Sequence, residues 1–158
     1  MIIIGIDPGS RFCGYGLLEI NERRILAAGC DVINLLKGKD LPQRLEILFD
    51  AINDILREYK PDIAVVESIF YHKQIRSVFT LGQARGVILL ALAQNDIPIV
   101  EYSPREVKKA VVGNGNASKQ QVRYMVNQIV NLHHKPAQDD AYDALGLALC
   151  HYHRIRFA

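Results

Sequence analysis

The sequence predicts an α/β fold, a mixed five-stranded sheet flanked by helices, and three observations carry that expectation. The first 35 residues hold three consecutive segments of strand character joined by short connections. Two further short apolar runs come later, at 62–67 and 98–102. Around these runs, apolar residues recur at helical spacing. Consecutive strands followed by alternating helices and strands give a sheet that is antiparallel at one end and parallel at the other, with helices covering its faces.

The elements follow in order. Ile2 to Asp7 is an apolar run that stops at Pro8-Gly9, so it reads as a buried strand ending in a turn. Phe12 to Ile20 is rich in small and β-favouring residues and is closed by the turn residues Asn21-Glu22; Arg24 to Leu35 completes an antiparallel meander. The period then changes. Leu45, Leu48, Phe49, Ile52, Ile55 and Leu56 mark one face of a helix that ends before Pro61. Asp62 to Glu67 (DIAVVE) is again a buried strand, and the polar, aromatic and basic stretch from Ile69 to Arg76 reads as a loop. Ser77 to Asn95 is a long apolar helix, and Pro98 to Tyr102 a strand. Ser103-Pro104-Arg105-Glu106 has the form of a capping box, with Pro at the first helical position. Ser118-Lys119-Gln120-Gln121 is a second such box, and Gly113 to Asn116 a turn between them. A last helix runs from about Asp140 to Tyr152.

The 158 residues are expected to form a single domain with a core of its own, without linker or repeat. No run of about 18 apolar residues suggests a membrane span, and Met1 to Gly5 lacks the basic start and long apolar stretch of a signal peptide. Cys13, Cys30 and Cys150 are odd in number and lack CxxC spacing, which fits reduced thiols in a cytoplasmic protein. His133, His134, His151 and His153 have no partners at zinc-finger spacing and read as surface residues. The net charge of +2 excludes a generic polycation. Its distribution is uneven: residues 69–135 hold nine Lys/Arg against three Asp/Glu, the remainder ten against fourteen. A basic middle beside an acidic remainder suits an anionic partner held near a carboxylate cluster.

Four acids stand out by position. Asp7 and Glu67 each close an apolar strand, and those two strands are expected to lie side by side. Asp140 and Asp143 sit three apart at the start of the last helix, on one face. Each has a plain structural reading: an Asx turn at Asp7, the first exposed residue at Glu67, a helix cap at Asp140 or its neighbour Asp139. Together they bring carboxylates from three elements toward one point, where repulsion in a low-dielectric pocket has to be offset. Mg²⁺, with Mn²⁺ as a substitute, is the natural counter-charge for an all-oxygen donor set. Two such ions about 4 Å apart can activate a water and stabilise the leaving oxygen of a phosphodiester.

At these residues the chain resembles the RuvC family of Holliday-junction resolvases. IGIDPGSRFCGYG resembles the family's opening, Glu67-Ser68-Ile69-Phe70 its glutamate loop, and DAYDAL (Asp140 to Leu145) its closing D-x-x-D-A-L pattern. LGQARGV (Leu81 to Val87) and VKKAVVGNGNASKQQV (Val107 to Val122) match two further stretches in order and spacing. The resemblance implies a ribonuclease H-like fold and a homodimer that cuts opposed strands of a four-way DNA junction. It also implies cooperation with the RuvA–RuvB branch-migration machinery. It carries the catalytic and metal-holding roles to Asp7, Glu67, Asp140 and Asp143, leaving Asp139 as a cap or supporting acid. DNA contacts are expected from Phe70, Tyr71, Lys73, Arg76, Lys108 and Lys119, with Phe70 as a wedge stacked at the crossover. Lys109 and Arg123 read as solvated face residues. Gly82 and Gly86 serve either close packing on the sheet or a flat helix face at a dimer interface.

Three rival readings are set against this one. IGIDPG is also similar to the phosphate loop of actin and sugar-kinase ATPases, but that fold needs a second D-x-G strand, which this chain lacks. A junction-binding module without catalysis gives no reason for the acid set. A related nuclease acting on RNA–DNA hybrids is disfavoured by the LGQARGV and VGNGNASK segments.

Overall fold

A computed structural model of the chain describes residues 1–68 and 75–156, and of residues 75–77 the backbone alone. Among the described residues, five strands form one sheet in the order β3-β2-β1-β4-β5. The strands are β1 (Ile2–Asp7), β2 (Phe12–Asn21), β3 (Arg24–Asn34), β4 (Ile63–Glu67) and β5 (Ile99–Tyr102). β1 pairs antiparallel with β2, and β2 with β3, whereas β4 and β5 run parallel to β1. The expected mixed sheet is therefore present, with β1 at its centre.

Helices cover both faces: α1 (Leu41–Tyr59), α2 (Ile75–Gln94), α3 (Pro104–Val112), α4 (Lys119–Ile129) and α5 (Asp139–Arg156). The two-residue alternation of β1 assigns the layers. Ile4 and Ile6 join Leu48, Ile52, Ile88 and Leu92 of α1 and α2. Ile3 faces the other way, into the cluster of Val107, Val111, Val122, Val126, Tyr142 and Leu145 from α3, α4 and α5. A strand buried on both faces reads as a continuous apolar run, which is why IIIGID carries no polar residue before its last position. No described helix is long and apolar enough to cross a membrane.

Local signals explain most boundaries. Ser103 and Ser118 both make the expected capping boxes, with Glu106 and Gln121. Gly113 ends α3 at φ +85°, a conformation that favours glycine. Three boundaries differ from expectation. α1 begins earlier, at Leu41, because the Asp40 carboxylate accepts from the Gln43 N–H and Pro42 occupies the first turn; that turn carries no buried side chain to set a period. α2 begins at Ile75, so the backbone of Arg76 belongs to the helix and not to a loop. α5 continues to Arg156.

The histidines divide. His133 and His134 are exposed, as expected. His151 is buried and Tyr102 Oη lies 2.9 Å from its Nδ1; His153 is half-buried and its Nδ1 lies 3.1 Å from the Ala110 carbonyl. Their surface assignment fails because α5 is packed against the sheet and α3 and α4, leaving it almost no free face. The three cysteines are free and buried, and burial pushes Cys30 up to about 12 and Cys150 to about 11.

Candidate active site

The acids meet because the sheet topology makes their strand ends neighbours. Ile6 and Val66 are register partners in the parallel β1–β4 pair, so the next residues, Asp7 and Glu67, leave the same edge of the sheet side by side. The third contribution comes from the start of α5, which lies directly on β1 and β2.

That approach depends on missing side chains. A Cβ at Gly5 would stand 2.0 Å from the Ala144 carbonyl oxygen, one at Gly14 2.0 Å from the Asp140 carbonyl oxygen, and one at Gly16 2.5 Å from Leu145 Cα. Gly5 pairs with Gly16, and Asp7 with Gly14. Three glycines thus make a bare platform beside Asp7, and the backbone of α5 rests on it. The small residues Ala141, Ala144 and Ala148 of α5 are fully buried there. Arg123 of α4 secures the same helix start: it pairs with Asp139 at 3.0 Å, donates to the Pro136 and Ala137 carbonyls, and lies 4.6 Å over the Tyr142 ring. Its expected role as a solvated face residue is thereby corrected: the guanidinium is committed to Asp139 and to the carbonyls of the loop that precedes α5.

Asp7, Glu67 and Asp143 line a cleft of about 240 Å³ with Lys108, Lys119, Pro104, Val107 and Val122. Burial holds the Asp7 carboxyl well above the usual carboxylate range, and the charges of Glu67, Asp143 and Asp140 reinforce it. Burial and then Asp143 raise Glu67 to about 7, against the opposing pull of Lys119 and Lys108. Asp143 is also raised by burial, although Lys119 opposes this. Burial alone would lower Lys119, but its hydrogen bond to Asp143 and the surrounding carboxylates hold it above the ordinary lysine value. The Lys119 ammonium donates to Asp143 Oδ2 at 2.9 Å. Asp140 does not line the cleft but acts on Asp7, Asp143 and Lys119. Asp139, by contrast, is engaged by Arg123.

Among the described residues, no three acid, histidine or cysteine side chains stand close enough to hold a metal ion as they lie. Asp7 and Glu67 are hydrogen-bonded to each other, and Asp143 is paired with the Lys119 ammonium. The donor chemistry nevertheless fits a hard divalent cation: the candidate ligands are all carboxylate oxygens, and three of them are held above their usual range. The buried like-charge cluster is the arrangement such an ion relieves.

The remaining expected residues fall in three groups. Lys108 and Lys119 reach the cleft. Phe70, Tyr71 and Lys73 lie outside the described residues, as does the side chain of Arg76. Gly82 and Gly86 are on α2, and a Cβ at either would meet nothing within 4 Å among the described residues, so their packing does not require glycine there. Sequence reasoning did not identify the glycine platform, although the Gly14-Tyr15-Gly16 motif was its visible trace. It also gave no role to Arg85 of LGQARGV, whose Nε donates to the Glu67 carbonyl and whose Nη2 donates to the Glu101 carboxylate.

Comparison with known proteins agrees with this architecture. The family model described as crossover junction endodeoxyribonuclease RuvC matches residues 3–151. The curated protein "Crossover junction endodeoxyribonuclease RuvC" of Shewanella loihica is 46% identical over 152 residues, 96% of this chain and 87% of its own. The protein of that name from Pelotomaculum thermopropionicum is 43% identical over 153 residues, 97% of this chain and 93% of its own. Among solved structures, RuvC of Thermus thermophilus aligns with a TM-score of 0.84 at 28% identity, covering 99% of this chain and 96% of that one. The same protein in complex with a Holliday junction substrate aligns at 0.86 and 29% identity, with the same coverage. With the sheet order, the helix placement and nearly the whole length in agreement, the chain belongs to the RuvC family of crossover junction endodeoxyribonucleases.

Proposed function

We infer that this chain resolves Holliday junctions in DNA recombination and repair, as a metal-dependent endonuclease whose catalytic and metal-holding residues are Asp7, Glu67, Asp140 and Asp143. One observation carries the reading: acids from β1, β4 and α5 gather at a cleft that also receives Lys108 and Lys119, and burial together with mutual repulsion raises three of the acids. The junction as substrate is supported by the relatives' shared name and by the Thermus thermophilus protein solved with a Holliday junction.

The all-oxygen donor set suits Mg²⁺, or Mn²⁺ in its place, and two such ions would supply an activated water and stabilise the leaving oxygen. Asp7 and Glu67 directly follow the last register pair of β1 and β4, so both strand ends deliver a carboxylate to the same edge of the sheet. Asp143 has two possible partners. In the free protein Lys119 neutralises it; once a divalent ion takes that role, the ammonium is free to meet a phosphate. Lys108 is already in the cleft and pairs with the DNA backbone, which positions the strand and makes binding salt-dependent. Phe70, Tyr71, Lys73 and Arg76 follow Glu67 in the chain and contact the crossover, with Phe70 stacking on an unpaired base for about 1–3 kcal/mol.

Opposed nicks need two equivalent sites, hence a two-fold homodimer. The outer face of α2 suits that contact: Gly82 and Gly86 leave it flat, and Phe79 and Leu90 stand exposed, by 70% and 51%. The enzyme would work in the cytoplasm with RuvA–RuvB, leaving ligatable nicks. The test is a synthetic four-way junction beside linear duplex of the same sequence, each with Mg²⁺ or EDTA. Symmetric nicks on the junction alone, lost in EDTA, are expected; equal cutting of the duplex would overturn the reading.

A further inference from the structure

The Arg85 side chain of the LGQARGV segment bonds to both strand ends, at Glu67 and Glu101. It projects from α2, and only 15% of its side chain is exposed. Its Nε donates to the main-chain carbonyl of Glu67 at 3.4 Å, and its Nη2 donates to the Glu101 carboxylate on β5. Glu101 is the register partner of Val66, one residue before Glu67. The β4–β5 ladder then makes one more bond, from the Ser68 N–H to the Tyr102 carbonyl at 3.0 Å, before the chain leaves the sheet. A single guanidinium therefore joins α2 to both strand ends where the Glu67 carboxyl enters the cleft.

We propose that Arg85 is a positioning residue for cleavage: it fixes the backbone of Glu67, with Glu101 orienting the guanidinium, and so sets where the Glu67 carboxylate stands relative to Asp7. The proposal rests on the nuclease reading of the cleft. The chemistry needs arginine in particular. Its planar fork presents Nε to a carbonyl and Nη2 to a carboxylate at the same time, whereas a lysine ammonium on a flexible stem holds neither direction fixed. Glu67 ends a strand, so beyond Ser68 the sheet no longer constrains its carbonyl, and a donor from α2 supplies that constraint. Groups that orient a metal-holding residue in this way affect metal affinity or rate by roughly 10–100-fold when removed.

The test uses the full chain with Arg85→Lys, Arg85→Ala, Glu101→Gln, Glu101→Ala and the double alanine variant. Circular dichroism melts identify the variants that fold. Two readouts follow: single-turnover junction cleavage at saturating DNA, with junction binding measured separately in EDTA, and Mn²⁺ affinity by titration calorimetry. The expected result for Arg85→Lys and Arg85→Ala is a cleavage rate lower by about 10–100-fold with junction binding within about threefold of the parent. Mn²⁺ binding weakens in parallel. Glu101→Ala lowers the rate in the parent but adds nothing in the Arg85→Ala background, because Glu101 acts through Arg85. Glu101→Gln, which keeps an acceptor, falls between. Parental cleavage and Mn²⁺ affinity in a folded Arg85→Lys, or effects of Arg85 and Glu101 that simply add, would overturn the proposal. If the parent did not cut junctions, the nuclease reading would fail separately, and Mn²⁺ affinity would still decide whether Arg85 orders Glu67.

Discussion

Replacing Gly14 with alanine places a methyl carbon 2.0 Å from the Asp140 carbonyl oxygen and 2.4 Å from the carbonyl carbon. Both are backbone atoms, so no side chain can turn aside. Ordinary contact begins near 3.4 Å, and the start of α5 must therefore retreat by more than 1 Å. The retreat carries Asp140 and Asp143 away from Asp7, which stays in β1 as the register partner of residue 14. Overpacking of this kind costs about 1–3 kcal/mol of stability. A displacement of about 1 Å at a reacting centre costs about 100-fold in rate. The assay is single-turnover junction cleavage at saturating DNA and Mg²⁺, with thermal melts to confirm folding. Gly29→Ala is the control, since a Cβ there meets nothing within 4 Å on the same sheet; it should cleave like the parent. A folded Gly14→Ala protein cleaving within threefold of the parent would refute the idea that the glycine platform sets the acid geometry.

Asp7→Asn replaces a carboxyl whose ionisation burial and the neighbouring acids disfavour with a neutral amide, so the metal-free protein should melt a few degrees higher, where about 1 kcal/mol corresponds to 2–4 °C at this size. The variant should bind junctions without cutting them; normal cleavage would remove Asp7 from the catalytic set. For Glu67, a folded value of about 7 against an ordinary 4.5 means that the folded state binds more protons between those limits. The stability of the metal-free protein should therefore fall as pH rises from about 4.5 to about 7, and melts of Glu67→Gln should show a smaller fall over that window. Gly86→Glu adds a charge to the outer face of α2, where a Cβ meets none of the described residues within 4 Å. Sedimentation should then report monomers with a parental melting temperature, and a dimer that persists would place the two-fold contact elsewhere.

The sequence made legible what is local. Strand ends at Asp7 and Glu67 were visible because each acid interrupts an apolar run, and both capping boxes because a serine and its partner stand three residues apart. Less legible was anything requiring knowledge of which elements touch. Helix spacing alone left Asp139 and Asp140 as alternatives, and only the family's D-x-x-D-A-L pattern favoured Asp140; that Arg123 engages Asp139 from another helix has no signature in sequence. The glycines of β1 and β2 acquire their meaning only once α5 is known to cross them. Lys119 was read as a phosphate contact, and its ion pair with Asp143, 24 positions away, has no signature in sequence. His151 was misplaced for the same reason, since a helix buried around its circumference carries little periodicity to reveal its faces.

The proposed function requires that carboxylates from β1, β4 and α5 together hold divalent metal for strand scission. Anomalous diffraction from crystals grown with Mn²⁺ tests it directly. The predicted result is density among Asp7, Glu67, Asp140 and Asp143, with Asp143 released from Lys119. Mn²⁺ bound only elsewhere, with the Lys119–Asp143 pair intact, would contradict it.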